Sequence, residues 1–372
     1  MPEDTIGRII SFMSLQEISS LRGVSRHWRA AIDHSVDTLR VVSLSSIPME
    51  LFIKFTHLQR LTVDHMDEMH FCDMRQLNRL SSLRYLSIQG MKISNESLTA
   101  IGSCTSLVEL TAADITLTKN CSEALGAFSQ LTQLTQLCLK YVDVEKVECG
   151  GDYCVESVSK IPSLKHLELR FDMSEDVLDC LLSLTGLETL CLSSITLQIP
   201  NLYFLKDMAR LRRLSLPWTH FSIYDAEQID LLANLTFLDL GATDATDESV
   251  QDFSRLTNLR HLCLKDNCIS DTTAEYLSTL SKLESLDISH SAGLSDVCTL
   301  DHVSALVSLK SLNVNGTHIG DSDLENLFPL TSLERLDIGL TCVTESAINS
   351  LTSLANLKEI NTEIVRNHFD HY

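Results

Sequence analysis

From residue 58 to residue 362 the apolar positions follow one phrase, Leu-x-x-Leu-x-(Leu/Ile/Val), which returns thirteen times. Its copies begin at residues 58, 83, 107, 134, 164, 187, 211, 235, 259, 283, 309, 333 and 357, so the step is 23 to 30 residues and most often 24. Two copies depart from the pattern: one ends in Ala112, and the last carries Ile360 and Thr362. Alternation within the phrase predicts a strand with one buried face. A second apolar group follows at helical spacing behind a capping residue. Thr246 or Asp247 precedes Val250, Phe253 and Leu256, and the same order recurs at Ser270-Asp271-Thr272, Gly320-Asp321-Ser322 and Thr344-Glu345-Ser346. Each repeat therefore predicts one strand and one helix, neither able to bury its apolar face alone. Stacked copies share a continuous core, and a fixed period of this length predicts an α/β solenoid. Leu39–Leu44 reads as a degenerate first copy.

Ahead of the repeats the pattern changes. Ile6, Ile9, Ile10, Met13, Ile18, Leu21 and Val24 fall at helical spacings, Ser14 stands between two short helical stretches, and Trp28 is a large anchor near the end. Three short helices with so little core of their own need a partner or the solenoid to lean on.

Both parts resemble known families. The repeats resemble leucine-rich repeats over residues 58–362. That likeness implies a curved parallel sheet on the concave face, helices on the convex face, and outward-pointing x positions for binding. Three residues past the third apolar position the family often carries Asn. Here the slot holds Thr219, Thr243, Thr317, Thr341, Asn267 and Ser291, whose hydroxyls can make part of the same ladder. The first forty residues resemble the F-box, a small all-α module, through Met1-Pro2, Ile9, Met13 and the closing phrase Val24-Ser25-Arg26-His27-Trp28. Thr5, Ser19 and Gly23 stand in slots the family usually fills with Leu. The resemblance implies domains at 1–38 (F-box) and 39–372 (about thirteen regular repeats plus the degenerate one). It implies adaptor contact through Pro2, Ile6, Ile9, Ile10, Leu15, Ile18 and Leu21, with Trp28 packing internally. The implied partners are a Skp-type adaptor and a cullin, and the implied role is the substrate-recognition adaptor of an SCF-type ubiquitin ligase. The alternative is a scaffold, sensor or inhibitor that binds one partner through its repeats and never meets a cullin.

Charge narrows the choice of target. The chain holds 29 Lys and Arg against 50 Asp and Glu, a net charge of −21. Residues 1–40 are balanced at five of each sign, so the excess acid lies in the repeats. Such a surface repels phosphate backbones and anionic membranes and favours a basic protein target. Twelve scattered cysteines include no Cys-x-x-Cys pair, and Cys149 with Cys154 in the longest repeat lack a second pair for zinc, so no metal or cofactor is expected. Free thiols without a secretory leader predict the cytoplasm or nucleus. No glycine-rich phosphate loop is present, and His261 beside Cys263 is a neighbour relation that alternation produces freely, so no enzyme is expected.

Two stretches of the repeats stand out as binding candidates. Lys140, Tyr141, His166, Arg170, Phe171, Arg213, Trp218 and Phe237 place aromatic and basic side chains on the strand-facing columns, the residue types that anchor interfaces. Asp239, Asp287 and Asp337 make the columns beyond them more acidic, with Lys265 and Arg335 interspersed. The long fifth step, with Glu145, Glu148, Cys149, Gly150, Gly151 and Asp152, predicts a protruding loop.

Overall fold

A computed structural model describes residues 32, 36–42, 54–64, 74–144, 151–193, 202–294 and 299–362. The F-box candidates Pro2, Ile6, Ile9, Ile10, Leu15, Ile18, Leu21 and Trp28 lie outside these residues, as do Glu145, Glu148, Cys149 and Gly150. The chain divides into two units, Met1–Leu187 and Glu188–Tyr372.

In the first unit β1 (Thr38–Val42), β2 (Arg60–Asp64), β3 (Tyr85–Gln89), β5 (Glu109–Leu117), β6 (Gln136–Val144) and β7 (His166–Arg170) pair in that order, all parallel, while the short β4 (Lys92–Ile93) pairs with the far end of β5. In the second unit β8 (Thr189–Ser193), β9 (Arg213–Ser215), β10 (Phe237–Asp239), β11 (His261–Cys263), β12 (Ser285–Asp287), β13 (Ser311–Asn313), β14 (Arg335–Asp337) and β15 (Glu359–Asn361) do the same. Every copy of the phrase forms a strand, and the degenerate copy supplies β1.

The register keeps like with like. Leu61, Leu86, Leu110, Leu137 and Leu167 stand side by side in the first unit. Leu190, Leu214, Leu238, Leu262, Leu286, Leu312, Leu336 and Ile360 do so in the second. All but Ile360 are at most 2% exposed, and full burial of each stabilises the fold by about 1.5–3 kcal/mol. Ile360 is 39% exposed, on the last strand of its sheet.

The opposite layer holds the helical segments. Thr246, Ser270 and Thr344 stand at the N-cap positions of Asp247–Val250, Asp271–Leu277 and Glu345–Ile348, where the capping pattern puts them, and the Ser270 hydroxyl accepts from the amide of Thr272. Val250, Phe253 and Leu256 are buried beneath them. Many segments are 3-10 rather than α, including Glu175–Ser183, Tyr203–Asp207 and Asp321–Leu327. The 3-10 form rises faster per residue, so it crosses the repeat with the few residues a step of about 24 leaves.

Two hydrogen-bonded rows fix the turns that leave the strands. The hydroxyls of Thr219, Thr243, Thr317 and Thr341 each donate to the carbonyl three residues back, at 2.6 to 2.8 Å. Asn267 does more. It donates to the carbonyls of Leu240, Leu264 and Lys265 and accepts from the amides of Thr243 and Ala245. Ser291, in the same slot, is buried with no partner for its hydroxyl among the described residues.

One residue earlier the backbone turns left-handed. Gly90, Asp114, Tyr141, Trp218, Ala242, Asp266, His290, Gly316 and Leu340 all have φ between 51° and 70° at the same slot of their repeats. In the second unit the turn lets Trp218, Ala242, Asp266, His290 and Gly316 donate their amides to a carbonyl of the next repeat.

On the helical side an aspartate inside one helix clamps the cap of the next. Asp152 accepts from the amide and hydroxyl of Ser174, Asp247 from those of Ser270, and Asp321 from those of Thr344, at 2.6 to 2.9 Å. Of the loop expected in the 30-residue step, residues 145–150 lie outside the described residues, while Gly151 and Asp152 belong to a helix. Strand β6 continues through Asp143 and Val144, residues 151–158 form a helix, and Asp152 is a clamp within it.

Candidate protein-binding face

The open face of each sheet presents the x positions of the phrase, and residues about 24 apart become neighbours across strands. In the second unit the guanidinium carbon of Arg213 on β9 lies over the ring of Phe237 on β10, 3.9 Å from its centroid. Phe237 in turn meets His261 on β11, with ring centroids 6.0 Å apart and planes tilted by 40°. The three make one cation–aromatic–imidazole run across three strands. Partial burial, together with the positive charges of Arg213, Arg260 and Lys310, holds the His261 imidazole below its ordinary pKa against the pull of Glu284.

The ends of these strands complete the face. Trp218 occupies the left-handed slot with φ 62° and is 62% exposed. A bulky side chain strains that conformation by about 1–2 kcal/mol where Gly would not, and so much exposure recovers little of it through packing. Between Arg213 and Trp218 the surface is built from small or internally tied groups: Ser215 donates to Asp239 at 2.9 Å, Gly241 donates its amide to the same carboxylate at 3.1 Å, and Pro217 and Gly241 raise no bulk.

Several other cations along this face are neutralised, while Arg335 on β14 forms no ion pair among the described residues. Arg260 and Lys310 both bind Glu284, the latter at 2.7 Å, and Lys358 binds Glu334 at 2.9 Å. Arg212 and Arg213 form no ion pair among the described residues.

Toward β15 the expected acidic columns prove to be a polar ladder. Asn313 donates to Asp287, Asn315 and Asn361 donate to Asp337, and each aspartate also accepts the amide two residues on, at Ser289 and Gly339. These carboxylates and amides line a shallow groove of about 300 Å³.

The first unit carries the remaining candidates. Lys140 and Arg170 are not free cations: both reach Glu168, at 3.2 and 2.6 Å, and the Cys138 thiol donates to the same carboxylate at 3.1 Å. Burial alone would raise the pKa of Glu168, but these donors and charges bring it below the ordinary value. His166 is half-buried at the start of β7. Tyr141 is 65% exposed in the left-handed slot, the counterpart of Trp218.

Phe171 does not face a partner. It is 7% exposed and packs so closely over Gly151 that a Cβ there would meet its ring at 2.5 Å. Its repeat lacks the left-handed turn, so the side chain folds inward. Sequence reasoning also missed the stack of Arg60 over Tyr85 at 3.9 Å and the joining of His261 to Phe237. The signal was present, since both pairs are offset by one repeat step.

Burial pushes the thiols of Cys104, Cys138, Cys154 and Cys263 up to about 12, which keeps Cys263 protonated beside His261. No group of three or more His, Cys, Asp or Glu there could hold a metal, and no described helix is long and apolar enough to cross a membrane.

Comparison with known families decides what the two parts are. The family model of the F-box domain matches residues 1–39, and that of the leucine-rich repeat matches residues 255–278 and 305–328. The chain joins an F-box domain to leucine-rich repeats. Solved structures similar to this F-box and leucine-rich-repeat chain share its solenoid. An internalin from Listeria monocytogenes has a TM-score of 0.65 at 21% identity over 95% of this chain and 96% of its own. A leucine-rich-repeat protein of Leptospira interrogans has 0.57 at 16% identity, over 91% and 93%. The ectodomain of the plant receptor kinase GASSHO1/SCHENGEN3 of Arabidopsis thaliana has 0.52 at 16% identity, over 91% and 40%. At these identities the likeness is one of fold alone. A putative disease resistance protein of Arabidopsis thaliana is 31% identical over 160 residues, which is 41% of this chain and 17% of that protein.

Proposed function

We propose that this chain is a substrate-recognition subunit of an SCF-type ubiquitin ligase. The carrying observation is the F-box match at residues 1–39 directly ahead of a repeat array whose open face bears exposed aromatic and cationic side chains. On this reading Pro2, Ile6, Ile9, Ile10, Leu15, Ile18 and Leu21 bury against a Skp-type adaptor that bridges to a cullin. The repeats hold a target protein. The chain does no chemistry itself. It acts in the cytoplasm or nucleus by raising the effective concentration of target and loaded ubiquitin carrier about each other.

The test is a pull-down of the intact protein and a Pro2→Ala/Ile9→Asp variant against a Skp-type adaptor and cullin. Recovery of both by the intact protein, and their loss with the variant, is the expected outcome. Equal recovery, or recovery by neither protein, would sink the ligase role.

A further inference from the structure

We propose that the face formed by Arg212, Arg213, Phe237, His261 and Trp218 is a docking site for an extended acidic peptide segment of the target protein. At this site a carboxylate side chain meets Arg212 and Arg213, and an apolar side chain packs on Trp218. The proposal rests on the receptor reading and names the chemistry of its target.

Three observations carry it. First, two adjacent cations, Arg212 and Arg213, are left unpaired among the described residues, as Arg335 on β14 also is. Arg260, Lys310 and Lys358 on this face are matched by Glu284 and Glu334. The Arg213 guanidinium carbon stands 3.9 Å from the Phe237 ring centroid, and a guanidinium without an ion pair can take a carboxylate in a bidentate pair. Asp239 is the sheet carboxylate beside them, and its oxygens already accept Ser215 and the amide of Gly241.

Second, small residues separate the two anchors along the strand. The Arg–Phe–His run makes one anchor, Trp218 stands at the other end of the strand, and Ser215, Pro217 and Gly241 lie between them. An extended chain crossing there can place one side chain at each anchor. Third, Trp218 holds a left-handed backbone conformation that Gly90 and Gly316 fill without strain in other repeats, and it stays 62% exposed. A side chain so placed stabilises a complex rather than the fold.

The net charge of −21 does not argue against an anionic partner, because much of it sits elsewhere. Asp225, Asp247, Glu248, Asp271, Asp301, Asp321, Asp323 and Glu345 all lie in first helical turns, where they complement free amides. Local charge, not the total, meets the peptide.

The experiment is a selection of displayed random peptides of about twelve residues on the full-length protein. Anisotropy titrations then follow, with labelled copies of the enriched peptides. Enriched peptides should carry Asp or Glu together with an aromatic or aliphatic residue. Their affinity should fall with rising salt, and about tenfold or more in both Arg213→Glu and Trp218→Gly. Trp218→Gly should keep or raise the thermal midpoint, since it relieves the turn, so lost binding in that variant is not lost folding.

Neutral or basic enriched peptides, no enrichment, or acidic peptides indifferent to both substitutions would overturn the proposal. Adaptor recovery from the same preparations reports separately on the F-box. Acidic-peptide binding without adaptor recovery would defeat the ligase reading and leave this site standing.

Discussion

At the scale of single residues, the turn after each strand concentrates constraint into two adjacent slots, and their occupants differ in what they do. Asn267 is structural. Its amide bridges three carbonyls and two amides across two repeats while it is 6% exposed, a load the Thr hydroxyls of the same slot share only in part. Asn267→Ala strands at least two buried backbone groups at about 1–3 kcal/mol each, so a loss of about 3 kcal/mol is expected in chemical denaturation. A loss under about 0.5 kcal/mol would show that water replaces the side chain. Trp218, one slot earlier in its own repeat, is the opposite case: strained, exposed and thus free to serve a partner.

At the scale of elements, the helical segments are held by side chains that reach one repeat forward. Asp247 clamps the cap of the next helix through Ser270 and also accepts from Thr273. Burial tends to raise its pKa, but these hydrogen bonds outweigh that and hold it below the ordinary aspartate value. Asp321, bonded to Thr344, is lowered in the same way. The sign follows from linkage. A carboxylate with a depressed folded-state pKa contributes its full stability above the ordinary aspartate range and loses it as pH falls through the lowered value. The thermal midpoint of the intact protein should therefore drop on acidification more steeply than that of Asp247→Asn. The variant should begin about 1–2 kcal/mol less stable at neutral pH. Parallel curves would mean the clamp adds nothing. The clamp was partly legible: Asp followed 22 or 23 residues later by Ser or Thr recurs at 152, 247 and 321. What the chain did not disclose is that the carboxylate at one helix start bonds the cap of the next.

At the scale of the whole molecule, a stack of repeats is stabilised by near neighbours, so damage should stay local. Phe253 is fully buried and meets Phe221 of the preceding repeat at 6.3 Å between ring centroids. Phe253→Ala should cost about 3–5 kcal/mol. Amide hydrogen exchange should then quicken in β9, β10 and β11 and stay unchanged in β2 and β3. Uniform acceleration along the chain would instead show a single cooperative unit. The same architecture means that net charge by itself does not fix the charge of a partner. Many acids lie at helix starts in one layer while others, such as Glu168, Asp239, Asp287 and Asp337, lie on the sheets in the other, and one total sums over both.

The chain by itself determined the thirteen strands, their parallel order, the Leu rows and several helix caps. A fixed period leaves little freedom in which residues face the core, and burial of those rows outweighs every local preference. It also named Arg213, Phe237 and Trp218 as candidates, because interface-prone side chains stood out at solvent-facing positions. Tertiary structure alone decided which candidates act together. Phe171 and Trp218 share a slot and differ only in the sign of the turn, which sends one ring over Gly151 and the other into solvent. Lys140 and Arg170 lost their apparent freedom to Glu168, while Arg212 and Arg213 kept theirs because no carboxylate among the described residues pairs with them. Alternation in one strand says which way a side chain points. Its partners come from the strands on either side, and a residue is free only when those neighbours leave it so.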